Sequence, residues 1–257
     1  MFIIDTHTHL YLEQFDEDRA EVMARAEEAD VKLMLLPNID VESIPAVKKM
    51  MTEYPAHVKG MMGLHPCSVK PGFEKELDII EAELRTGDYV AVGEMGLDLY
   101  WEKGFLDQQI EAFKQQVEWA KELSLPVVLH VRDAFDESLD LLDEINDDRL
   151  TGVFHCFTGG KKEIARINEY GNFYYGMGGV TTFKKAGLDQ VIPLLPSDKI
   201  ILETDSPYLA PTPFRGKRNE SAYTKIVAQR VADVLEVSID KVAEQTTVNA
   251  KRLFNLS

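Results

Sequence analysis

The chain has 257 residues, 45% of them apolar, enough for one large core, and its longest apolar runs fall far short of the roughly 20 residues that a membrane span needs. A formal charge of −16 excludes nucleic-acid binding through a general basic surface, yet leaves room for a local site where metal ions or a few loop cations reverse the potential. Cys67 and Cys156 are too few for a disulfide scaffold and read as free thiols, and no basic region precedes the short apolar stretch in MFIIDTHTHL. The expectation is a cytoplasmic, monomeric protein without membrane contact.

Along the chain, short runs rich in Val, Ile, Leu, Met and Tyr alternate with longer charged, amphipathic stretches, as strands buried on both faces would alternate with surface helices. The first three strands are expected at FIIDTH (2–7), KLMLLP (32–37) and VKGMMGL (58–64). YVAVGEM (89–95) leads into a helix at 106–123, PVVLHV (126–131) into one at 134–145, and TGVFHCF (151–157) into one at 161–170. FYYGMG (173–178) and KIILETD (199–205) complete the strands, and helices at 223–237 and 239–254 close the chain. Eight such alternations in a single domain spanning 1–257 fit an α/β fold of the (β/α)8 TIM-barrel type. A doubly wound open sheet is the runner-up, weakened by the lack of a glycine-rich phosphate turn after an early strand.

The polar residues fall at strand ends. His7 and His9 end the first expected strand, Glu94 the fourth, His130 the fifth, His155 the sixth and Asp205 the eighth, and carboxyl ends of strands are where barrel enzymes build their sites. A side-chain period of two turns His7 and His9 to one side, able to share one ion, with Asp5 and Glu203 one layer deeper as hydrogen-bond partners. Of six histidines, only His57 lies away from an expected strand end; His65 joins the other four. A lone histidine there is usually a satisfied core or surface residue, but five at one rim with two carboxylates point to a metal centre.

DTHTHL (5–10), GLHP (63–66), GEMGLDLY (93–100), HVRDA (130–134), HCFTGG (155–160), LETDSPYLAP (202–211) and RGKRNE (215–220) together resemble the TatD-type deoxyribonucleases, a branch of the amidohydrolase-like barrels. The resemblance implies that His7, His9 and Asp205 bind one divalent ion, that His130 and His155 bind a second, and that Glu94 bridges them. It also implies metal-dependent phosphodiester hydrolysis of DNA, often from a 3′ end. The donor set admits Mg2+, Zn2+ or Mn2+ and does not choose between them.

In the expected mechanism, a water activated by two metal ions attacks the phosphate, Glu94 bridges the ions, and Asp205 both ligates and takes up the water's proton. His65 is assigned to phosphate contact or leaving-group protonation. Arg132, Lys161, Lys162, Lys184, Lys185, Arg215, Lys217 and Arg218 follow strand ends; Arg132, Arg215, Lys217 and Arg218 are expected on the phosphates, Lys161 and Lys162 in solvent. Tyr100 and Trp101 are expected to stack on unpaired bases, favouring single-stranded or frayed DNA as partner, whereas Phe105 and Phe214 pack their loops. The closest rival is a binuclear hydrolase of a carboxylic ester, lactone or amide. A non-catalytic barrel would be expected to have lost ligands, and all six are present.

Overall fold

The computed structural model describes residues 2–256. The apolar runs form eight strands: β1 (Ile3–Asp5), β2 (Val31–Pro37), β3 (Val58–Met62), β4 (Tyr89–Asp98), β5 (Val127–Arg132), β6 (Gly152–Phe154), β7 (Phe173–Met177) and β8 (Ile200–Leu202). They pair in parallel in sequence order from β1 to β8. Main-chain bonds from Thr6 N–H to the Leu202 carbonyl (3.0 Å) and from Asp205 N–H to the His7 carbonyl (2.9 Å) join the two ends, so the sheet curls into a barrel.

Among the described residues, eight α-helices accompany the strands: α1 (Arg19–Glu28), α2 (Ile44–Glu53), α3 (Phe73–Leu84), α4 (Leu106–Leu123), α5 (Phe135–Ile145), α6 (Lys161–Tyr170), α7 (Thr224–Leu235) and α8 (Ile239–Leu253). α4 to α8 fall on the segments whose apolar periodicity marks helices, and α1 to α3 fill the three earlier crossovers. The β7–β8 crossover departs from the repeating pattern: four short 3-10 turns between Gly179 and Lys199 replace a helix. Gly187, Pro193 and Pro196 account for this, because proline lacks the N–H a helix interior needs and glycine favours turns.

One buried side chain from each strand fills the barrel interior: Ile4, Leu35, Met61, Ala91, Val128, Val153, Tyr174 and Ile201. Ala250, Leu253 and Phe254 of the α8 region pack against this layer, so α8 covers the mouth opposite the carboxyl ends of the strands. A larger core lies between the strands and the surrounding helices. Among the described residues, no helix is long and apolar enough to cross a membrane.

Several strands end earlier than their apolar runs suggest. β6 stops at Phe154, two residues before Cys156 at φ +45°, and β8 stops at Leu202, before Asp205 at φ +57°. Left-handed conformations at non-glycine residues break a ladder and concentrate where side chains serve a site. β4 instead runs beyond Met95 to Asp98, with a register irregularity between Val92 and Met95. A bulge of this kind reverses side-chain parity, which is how Ala91 in the interior layer and Glu94 at the site, an odd number of residues apart, both face inward.

Candidate metal centre

Glu94 lies at the centre of the carboxyl-end mouth, only 3% exposed, with its two oxygens turned to different partners. Oε2 faces His7 Nε2 at 3.2 Å and His9 Nε2 at 3.5 Å. Oε1 faces His130 Nδ1 at 2.9 Å, and His155 Nε2 and His65 Nε2 at 3.4 Å each. Asp205 Oδ1 adds to the first group, 3.4 Å from His9 Nε2 and 3.8 Å from His7 Nε2. One carboxylate therefore divides two sets of donors.

Which nitrogen of each ring carries its proton follows from the bond on the far side. His130 Nε2 sits 2.9 Å from Asp98 Oδ2, and His155 Nδ1 sits 3.0 Å from Glu203 Oε1; a carboxylate only accepts, so each far nitrogen is the N–H, and in the neutral ring the near one holds the lone pair. His9 Nδ1 lies 3.0 Å from Tyr11 Oη, whose single hydrogen is already donated to the Pro37 carbonyl at 2.8 Å, leaving the His9 Nε2 lone pair inward. His7 Nδ1 is buried without a partner among the described residues, and the ring is held by stacking on His155 at 3.7 Å and 14°.

His65 is oriented the other way. Its Nδ1 accepts the Cys67 main-chain N–H at 3.0 Å, which puts the proton of the neutral ring on Nε2, facing Glu94 and His130. A ring presenting N–H is a hydrogen-bond donor rather than a ligand, although His65 lies close enough to Glu94 and His130 to count with them as a metal-binding triad by distance alone.

The donor set fits divalent cations. His7 Nε2 and His9 Nε2 lie only 3.3 Å apart beside the carboxylates of Glu94 and Asp205, and imidazole with carboxylate is a set that first-row divalent ions accept. Burial would lower His155, but Glu203 and Glu94 carry it up to about 10. Burial would raise Glu94, yet His7, His65 and His155 hold it well below the usual carboxylate range. Burial and the neighbouring His155 lower His7; burial also lowers His65, favouring the neutral ring whose N–H was inferred above. A divalent ion held by these rings would take the place of ring protons.

Glu203 holds the His155 ring, as parity suggests, whereas Asp5 bonds elsewhere. Asp5 accepts from Thr204 N–H (2.9 Å) and Thr204 Oγ1 (2.7 Å), so it stitches the β1–β8 seam instead. The residues that sequence reading missed are Asp98 and two glutamines of α4. Gln109 Oε1 accepts the Asp98 N–H at 2.9 Å, and Gln116 Oε1 accepts the Leu64 N–H at 2.7 Å. Seven residues apart, they share one helix face and fasten the loops bearing Asp98 and His65. The 94, 96, 98 spacing within GEMGLD is the signal that could have found Asp98.

Around the centre, a cavity of about 800 Å³ brings together His9, His65, Glu94, His130, His155 and Asp205 with Trp101, Arg132, Arg215 and Lys217. The Arg132 guanidinium lies 4.2 Å from the Tyr100 ring centre and 5.5 Å from that of Trp101, while Arg215 covers Phe183 at 3.9 Å. Tyr100 and Trp101 are 49% and 67% exposed, and their rings meet edge to face with centres 4.8 Å apart. Arg218 lies outside this lining, and its guanidinium donates to both oxygens of Asp18 at 2.7 and 2.6 Å. Lys162 pairs with Asp136 at 2.7 Å, and Phe214 stacks on Tyr223 at 4.5 Å, both as surface and loop packing would have it. Burial, with Asp98 nearby, pushes the Cys67 thiol up to about 12, which removes it as a nucleophile.

Residues 4–255 match the family described as TatD related DNase. An uncharacterized metal-dependent hydrolase, YabD, of Bacillus subtilis (strain 168) is 40% identical over 256 residues, covering 99% of this chain and 100% of the relative. The 3'-5' ssDNA/RNA exonuclease TatD of Salmonella typhimurium is 33% identical over 260 residues, covering 99% of each chain. Among solved structures, YjjV, a TatD homologue of Escherichia coli K12, superposes with a TM-score of 0.92 at 29% identity over 99% of this chain and 98% of that one. Fold, motif order and these likenesses agree, and the chain belongs to the TatD-related DNase family of metal-dependent hydrolases.

Proposed function

We propose that this protein hydrolyses phosphodiester bonds of single-stranded or frayed DNA from the 3′ end, with two divalent cations, Mg2+, Zn2+ or Mn2+, held on either side of Glu94. The observation that carries the reading is the division of the Glu94 oxygens between two groups of inward imidazole nitrogens. His7, His9 and Asp205 would hold one ion, His130 and His155 the other, with Glu94 common to both. Cations bound there supply Lewis acidity toward a phosphate oxygen and toward water.

The chain's own residues do the rest. Asp205 orients the attacking water and takes up its proton, as the new P–O bond forms and the bond to the 3′ oxygen of the preceding nucleotide breaks. The His65 Nε2–H donates to a phosphate oxygen and, as the bond breaks, to the departing one. Arg132, Arg215 and Lys217 line the cavity with positive charge against a chain of −16, and Tyr100 and Trp101 offer faces for unpaired bases. The name of the Salmonella relative supports the polarity and the single-strand preference.

The test is a polarity assay on single-stranded DNA, duplex DNA and RNA, each labelled at the 3′ or the 5′ end, beside a panel of esters, lactones and amides. A 3′-labelled single strand should release labelled mononucleotide at once while the 5′-labelled strand shortens stepwise. Turnover of an ester, lactone or amide with intact nucleic acid would establish the rival hydrolase instead.

A further inference from the structure

Asp98 is fully buried at the end of β4, and its two oxygens face opposite ways. Oδ2 takes the Nε2–H of His130 at 2.9 Å, which leaves the His130 Nδ1 lone pair directed at Glu94. Oδ1 takes two main-chain N–H groups, of Tyr100 at 2.9 Å and Trp101 at 2.7 Å, and these residues carry the two exposed rings over which the Arg132 guanidinium lies. Gln109 fixes the Asp98 main chain, accepting its N–H and donating to its carbonyl, and donates to the Glu102 carbonyl beyond the rings at 2.8 Å. A carboxylate is the one side chain of this size that can accept on both sides at once.

We propose that Asp98 is a positioning residue that ties the metal position at His130 to the aromatic Tyr100–Trp101 platform. The proposal rests on the reading that His130 holds a cation. It makes the ring that would ligate and the surface that would meet the substrate parts of one hydrogen-bonded unit, so that disturbing Asp98 reaches both, and a substitution sparing one oxygen's role separates them.

Asp98→Asn makes that separation. Two loop N–H groups on one side outweigh a single ring nitrogen on the other, so the amide oxygen stays with Tyr100 and Trp101 and the amide NH2 turns to His130. His130 Nε2 must then accept, and its proton moves to Nδ1, where it blocks ligation. Asp98→Ala removes both roles.

Two readouts need neither nucleic acid nor turnover, and so stand apart from the hydrolytic reading. The first is calorimetric titration of metal-stripped protein with Mn2+. The second is acrylamide quenching of tryptophan fluorescence, which reports Trp101 because Trp119 is only 3% exposed. Asp98→Asn should weaken Mn2+ binding about ten- to a hundredfold at one position, with quenching as in the wild type. Asp98→Ala should weaken Mn2+ binding and raise quenching. Wild-type Mn2+ affinity in Asp98→Asn, or unchanged quenching in Asp98→Ala, overturns the proposal. If Asp98→Ala does not fold, hydrogen exchange in the wild type decides the loop half: the Tyr100 and Trp101 amides should exchange at least tenfold more slowly than exposed amides, and unprotected exchange overturns it.

Discussion

Glu203 Oε1 stands 3.0 Å from His155 Nδ1 and 2.6 Å from the main-chain nitrogen of Cys156, so one buried carboxylate sets both a ring and the turn that carries it. Glu203→Gln should therefore weaken divalent-metal binding by about ten- to a hundredfold, read by calorimetric titration of the metal-stripped protein. Gly176→Ala should act through the same carboxylate from its other side, because a Cβ there would lie 2.3 Å from Glu203 Oε2. Wild-type metal affinity in both variants would remove Glu203 from the orientation of His155.

Gly96 lies between Glu94 and Asp98 at φ +146°, where a Cβ would sit 1.9 Å from the His130 carbonyl oxygen. Main chain meets main chain at that point, so no side chain can swing away. Gly96→Ala should cost about 2 kcal/mol or more by denaturant unfolding, with metal affinity falling as β5 shifts. Unchanged stability would mean that β4 and β5 can separate without loss.

Arg218 and Asp18 form a bidentate pair, with Arg25 donating to Asp18 at 3.3 Å and to Glu220 at 2.6 Å. The hydrogen bonds from Arg218, and then those from Arg25, bring the Asp18 carboxyl from 3.8 down to about 2. A depressed folded-state value means that the pair's contribution is complete above the unfolded value and is lost as pH falls through about 2. Because both partners are about one-third exposed, Arg218→Ala should cost about 1 kcal/mol or less at neutral pH, with the difference from wild type shrinking in acid. Its salt dependence of DNA binding should match the wild type; a flatter slope would return Arg218 to the phosphate track.

Trp101, 67% exposed beside the cavity, is proposed as a stacking surface. Trp101→Ala should weaken single-stranded DNA binding by about 1–3 kcal/mol, appearing as a raised KM with kcat held, because the ring touches bases remote from the reacting phosphate. A fall in kcat at constant KM would assign Trp101 to the chemistry instead.

Much of the site was legible because barrel topology turns sequence spacing into space: His7, His9, Glu94, His130, His155 and Asp205 each follow or end an apolar run, and parallel pairing brings those ends to one mouth. Strict alternation was less reliable. The bulge in β4 reverses parity before Glu94, and β6 and β8 stop short of the left-handed Cys156 and Asp205, features of main-chain geometry that no residue type announces. Asp98, Gln109 and Gln116 were missed because buried polar residues in amphipathic segments look like surface ones until their partners are known. The Arg218 pair was hidden for the complementary reason: an arginine in a rim motif reads as free, and only the fold brings Asp18, 200 residues away, to its guanidinium.

The central claim is that two cations share Glu94 and that hydrolysis needs both. The most direct measurement titrates metal-stripped wild type and Glu94→Gln with Mn2+ while following cleavage of 3′-labelled single-stranded DNA. Wild-type cleavage should rise with the second equivalent and reach its plateau there, and Glu94→Gln should lose at least about a thousandfold in rate at any Mn2+ concentration. Full cleavage after a single equivalent, or near-wild-type cleavage by Glu94→Gln, would contradict the account.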